Sequence, residues 1–197
     1  MTAGFIQAVR TYFTAHPYSD DHLNEAVLYA YDDSTAKRTF MTAADNRKDI
    51  ALQIDNPKQV ELVHICIDGG IAEYGLENYQ GDGKVHERCD CMVFSDTALR
   101  FIEFKMNMTS ALDKTAWRNC RDAMRAIRDF VTYFYKVFER HGDSFWNYYP
   151  ISSASAVVCI KQSPNMVSKR NSQRLTEKYK FTAATNLKVE FSTRCEY

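Results

Sequence analysis

Residues 99–106 (LRFIEFKM) form a mostly apolar run with Glu103 and Lys105 set inside it. Leu99, Phe101, Ile102, Phe104 and Met106 make it read as a buried strand. Side chains alternate faces along a strand, which puts Glu103 and Lys105 on the same face, two residues apart. The preceding residues 85–94 (VHERCDCMVF) read as its partner, and 95–98 (SDTA) supply turn formers. A turn centred on Asp96-Thr97 pairs Phe94 with Leu99, Met92 with Phe101, and Asp90 with Glu103. Two carboxylates opposed across a ladder repel. Burial sharpens the repulsion unless a proton or a cation lies between them. A divalent ion with oxygen ligands meets that need, and a neighbouring lysine suits a hydrolytic site.

Asp90, followed after twelve intervening residues by Glu103-Phe104-Lys105, resembles the PD-(D/E)XK nuclease superfamily, the restriction-endonuclease-like fold. The likeness covers the hairpin and the helix after it. Cys89 stands where the superfamily motif has proline. The resemblance implies an α/β domain with a mixed central β-sheet flanked by helices, N-terminal helices, and a long helix after the active-site hairpin. It implies a metal-dependent nuclease acting on nucleic acid, DNA ahead of RNA. Asp90, Glu103 and the Phe104 carbonyl would hold Mg²⁺ or Mn²⁺, and Lys105 would orient or help deprotonate the attacking water. Many members also carry a glutamate on the helix before the sheet. Glu25 is the candidate here, beside the plainer reading of a solvated surface residue, and Glu73, Glu77 and Glu87 are the alternatives. A second function class stays open: a non-catalytic binding or immunity-type protein on the same scaffold. In a third, the hairpin match is chance in an unrelated α/β domain.

The remaining chain is read from periodicity. Phe5, Ile6, Val9, Tyr12 and Phe13 share one face of a first helix, which His16-Pro17 ends. Ser19 caps an expected second helix over 20–31, which would carry Glu25. Short strands fit 37–42 and 49–54, and 60–67 (VELVHICI) is a firm one. His64 within it reads as a satisfied core residue rather than a ligand. After the hairpin, Thr109 or Ser110 starts a helix that runs to about His141 and stops at Gly142. Trp117, Cys120, Met124, Ile127, Val131, Phe134 and Phe138 recur at steps of three and four, a continuous apolar seam. Lys114, Arg118, Arg121, Arg125 and Arg128 run beside that seam. They would hold a phosphate backbone, or form a solvated face paired with Asp122 and Asp129. Trp146, Tyr148 and Tyr149 would stack on bases or cover one end of the core. Residues 155–161 read as a buried strand. Lys169, Arg170, Arg174, Lys178 and Lys180 mark a basic segment that is a second nucleic-acid contact candidate. Residues 187–192 read as a last, edge-type strand.

At 197 residues the chain suits one domain. No apolar run is long enough for a membrane span, and no secretory leader is expected at the N-terminus. Six scattered cysteines fit buried free thiols in a reducing cytoplasm, and no second Cys/His pair accompanies Cys89-x-Cys91 at zinc spacing. The net charge of zero hides a split: residues 1–100 hold 9 Lys and Arg against 16 Asp and Glu, and residues 101–197 hold 16 against 9. Such asymmetry fits a polyanion-binding face. The expected partners are nucleic acid and no membrane, with a homodimer as a further possibility.

Overall fold

The computed structural model describes residues 2–13, 20–44, 46, 50–67, 88–106, 113–161 and 171–197. Helix α1 (Thr2–Tyr12) is followed by β1 (Asp20–Leu23), β2 (Val27–Asp33), β3 (Arg38–Thr42), β4 (Leu52–Asp55) and β5 (Leu62–Cys66). Next come β6 (Cys91–Phe94), β7 (Leu99–Phe104), the long α2 (Asp113–Arg140), β8 (Ala154–Cys159), α3 (Asn171–Thr185), β9 (Lys188–Phe191) and β10 (Arg194–Glu196). The chain is thus α/β with mixed sheets. The expectation of one central sheet is corrected to two: six strands in the order β1-β5-β6-β7-β8-β9, and four in the order β10-β4-β2-β3.

In the larger sheet β5, β6 and β7 form an antiparallel meander. The chain then crosses over through α2, and β8 and β9 lie parallel to β7. This sheet is covered on both faces. Ile65, Met92, Phe101, Ala156 and Val158 pack with residues of α1 and α2. Cys91, Val93, Ile102, Phe104 and Val157 pack on Leu28, Ala30, Leu52 and Ile54 of the smaller sheet. Double coverage explains why β6, β7 and β8 are almost continuously apolar rather than alternating.

The expected helix over 20–31 is instead β1 and β2. Leu28 and Ala30 are fully buried between less buried Val27, Tyr29 and Tyr31. That is period two, the pattern of a half-buried strand. β9 is an edge strand as expected, but not the last one, because β10 follows and pairs with β4.

Helix α2 has 28 residues, about 42 Å of rise. Cys120, Ile127, Val131, Phe134 and Phe138 of its seam are fully buried. It stops where expected. Gly142 takes φ +71, its amide bonds the Glu139 carbonyl at 3.0 Å, and the Asp143 amide bonds the Phe138 carbonyl at 3.0 Å. This pair of bonds is the Schellman arrangement, which needs a left-handed residue that glycine supplies without strain.

Asp143, just past that cap, joins the helix end to α1. Its carboxylate accepts from the hydroxyls of Tyr12 (2.8 Å) and Tyr148 (2.7 Å), the Ser144 amide (2.7 Å) and the Asn147 side chain (2.9 Å). Burial would raise its pKa, but these donors outweigh it and hold the group down to about 2. A carboxyl depressed on folding stabilises the fold above its unfolded pKa of about 3.9 and ceases to do so as pH falls toward its folded value. Asp143→Asn is therefore expected to lose on the order of 1–2 kcal/mol at pH 7, a modest figure because the site is partly exposed. In urea titrations the gap between wild type and variant should close between about pH 4 and pH 2. A gap constant through that window would show that the carboxylate charge does not carry the contact.

Candidate active site

The β6–β7 hairpin has the register read from the sequence. Phe94 pairs with Leu99, Met92 with Phe101, and Cys91 with Ile102. The turn is held by Ser95, whose hydroxyl accepts the amides of Thr97 and Ala98, each at 3.2 Å. Continuing the register by one step brings Asp90 opposite Glu103.

The ladder, however, stops at Cys91. Asp90 sits in a bend: its amide bonds the Ile102 carbonyl of β7 at 3.0 Å, while its carbonyl accepts from the Ile67 amide, next to β5, at 2.9 Å. In a regular strand both groups of one residue point to the same neighbour, so the backbone is twisted here in the manner of a bulge. The Asp90 carboxylate then reaches the Phe104 amide at 2.5 Å and replaces the missing ladder bond. Sequence periodicity carries no signal for this twist.

Glu103 and Lys105 share a face, as alternation requires. Lys105 Nζ lies 2.5 Å from Glu103 Oε1. Glu103 is only 5% exposed, whereas Lys105 keeps an opening to solvent. Burial works against the Lys105 charge, but Glu103, Asp90 and Asp122 together raise its pKa above the usual lysine value. One ammonium thus sits in the field of three acids, at the carboxyl end of β7. Asp122, on α2, reads from the sequence only as a partner for arginines.

Other candidates lie elsewhere. Glu25 is exposed in the connection between β1 and β2, and its carbonyl accepts from Asn56 at 3.2 Å. Leu23, just before it, pairs with Leu62, whereas the Asp90 bend is level with Ile67, about 16 Å further along the strands. Glu25 is therefore not brought to Asp90 and Glu103, because the helix expected to carry it does not exist. Glu73, Glu77 and Glu87 lie outside the described residues, as do Thr109, Ser110, Lys169 and Arg170. Arg118, Arg121, Arg125 and Arg128 are exposed along α2, and the Lys114 side chain is outside the described residues. Asp122 lies 3.7 Å from the adjacent Arg121, and Asp129 lies 2.7 Å from the adjacent Arg128.

His64 is fully buried, with Nε2 3.0 Å from Thr39 Oγ1 and Nδ1 3.2 Å from Asp21 Oδ2, which makes it a polar tie between the sheets. The aromatic loop covers the core. Tyr149 is fully buried and donates to the Ser95 carbonyl at 2.7 Å, and Trp146 packs on Tyr135 and Phe145. All six cysteines are buried thiols, and burial pushes Cys120 and Cys195 up to about 12.

The donor chemistry fits a hard divalent ion. Asp90 and Glu103 offer carboxylate oxygens, the ligand type Mg²⁺ and Mn²⁺ favour. Among the described residues no three His, Cys, Asp or Glu side chains are grouped closely enough to hold an ion. At Glu103 Oε1 the position of a cation is taken by Lys105 itself. No described helix is long and apolar enough to cross a membrane. The chain matches no family model, no curated protein and no solved structure.

Proposed function

We propose that this chain is a metal-dependent nuclease hydrolysing phosphodiester bonds, DNA ahead of RNA, on a restriction-endonuclease-like scaffold. The observation that carries this reading is the convergence of Asp90, Glu103 and Lys105 at the carboxyl end of β7, with Glu103 buried. The order of elements from β5 onward supports it: an antiparallel three-strand meander, a crossover helix and a parallel strand. Asp90, Glu103 and the Phe104 carbonyl would hold Mg²⁺ or Mn²⁺. Such an ion polarises a phosphate and lowers the pKa of water. Lys105, held by Glu103, orients the attacking water and offers its charge to the phosphate as negative charge develops there.

A second reading has its own observation. The Asp90 carboxylate accepts from the Phe104 amide and Lys105 pairs with Glu103 through Oε1, so the Glu103 charge is countered without an ion. That arrangement suits a binding or immunity-type protein that keeps the scaffold without the chemistry. Calorimetric titration with Mn²⁺, alongside cleavage assays on single- and double-stranded DNA and RNA, separates the two. The nuclease reading expects saturable binding below millimolar concentration and cleavage that EDTA stops. Absence of both would leave the binding-protein reading.

A further inference from the structure

The geometry points to a cleft between α2 and α3 that binds the phosphate backbone of the nucleic-acid strand. Arg121, Arg125 and Arg128 of α2 and Lys180 of α3 line a cavity of about 120 Å³, together with Met124, Phe181 and, as its one carboxylate among the described residues, Glu177. Met124 and Phe181 are 4% and 3% exposed, so they form an apolar floor. Four cations over a low-dielectric floor concentrate positive potential more than the same charges on a convex surface.

The arginine spacing matches a polymer. Positions 121, 125 and 128 fall on one flank of the helix and span about 10.5 Å of its axis. One strand of a B-form duplex advances about 3.4 Å per phosphate, so this length meets about three phosphates. The competing carboxylates are weakly bound. Arg121–Asp122 and Lys180–Glu177 are solvent-exposed pairs and Arg128–Asp129 a partly exposed one, of a type worth about 1 kcal/mol. Arg125 forms no ion pair among the described residues. Asp122, whose charge reaches Lys105, lies about 100° round the helix from Arg121.

This deepens the nuclease reading and rests on it for the identity of the polyanion. It also adds α3 as the second wall of the site. The test is fluorescence anisotropy with a labelled oligonucleotide, single-stranded and duplex, in EDTA so that no cutting occurs. Arg125→Glu and Arg128→Glu should each weaken binding about tenfold, and the salt slope between about 50 and 200 mM should fall by about one for each phosphate no longer neutralised. Lys188→Glu, exposed on the edge strand β9, should bind like wild type, and all variants should keep the wild-type melting temperature. Binding in EDTA needs neither metal nor cleavage, so failure of the catalytic reading and failure of the cleft are read separately. Wild-type affinity and salt slope in the Arg125→Glu, Arg128→Glu double variant would overturn the proposal. So would tighter binding of the wild-type protein to phosphatidylglycerol vesicles than to DNA, which would make the cleft a lipid-surface site.

Discussion

Asp90→Asn is expected to abolish metal-dependent cleavage while leaving the metal-free fold at or above wild-type stability. The asparagine oxygen can still accept the Phe104 amide, so the bend at residue 90 survives. The carboxylate charge, one of three that act on Lys105, is removed. If Asp90 supplies an ion ligand, several kcal/mol of transition-state stabilisation disappear, a loss on the order of a thousandfold in rate. Stabilisation of the protein by added Mn²⁺ should vanish with it, because a ligand stabilises only the state it binds. Lys105→Met tests the other half of the cluster. It leaves Glu103, 5% exposed, without its ammonium, and breaking a buried pair on one side costs about 3–5 kcal/mol, less here because Lys105 is partly open to solvent. Glu103→Gln in the same chain should restore that stability but no cleavage. Full cleavage by Asp90→Asn would remove the site from consideration.

Phe134→Ala is expected to be the most damaging single change to the fold. Phe134 is fully buried and its ring meets Phe13 at 5.0 Å, Phe138 at 5.1 Å, Phe130 at 5.7 Å, Phe145 at 5.8 Å, Phe101 at 5.9 Å and Phe5 at 6.1 Å. It thus joins α1, α2, β7 and the loop before β8 at one point. Truncating such a ring costs about 3–5 kcal/mol in transfer energy and cavity formation. For a chain of this length each kcal/mol lowers the melting temperature by about 2–4 °C, so a drop on the order of 10 °C is expected. Phe134→Leu should cost far less, under about 1.5 kcal/mol. Urea titration reports both, and a loss below about 1 kcal/mol for the alanine variant would mean that α1 and the sheet do not depend on this ring.

The hairpin and α2 were legible because their information is local. Ser95 fixes a short turn, a short turn fixes the register, and alternation then determines which residues share a face with Glu103. The seam from Trp117 to Phe138 repeats over six steps, more than chance spacing sustains, and Gly142 ends it for a reason that lies in its own backbone. Residues 20–31 were not legible in the same way. Leu23, Ala26, Val27 and Ala30 fit a helical stripe as well as Leu28 and Ala30 fit a strand face. The choice was made by distant partners: Leu62 for Leu23, and Ile54 and Leu52 for Leu28 and Ala30. Glu25 lost its expected position with that helix.

By itself, then, the sequence determined the β6–β7 pairing, the long helix with its seam and its stop, and the shared face of Glu103 and Lys105. Each follows from dihedral preferences and side-chain periodicity within a few residues. Only the tertiary structure decided that a second sheet covers β5 to β8, that Asp90 leaves the ladder to hold the Phe104 amide, that Asp122 joins the field around Lys105, and that α3 closes a basic cleft on α2. Each of these depends on burial and charge between segments far apart in the chain, where the free energy of contact, rather than local preference, selects the conformation.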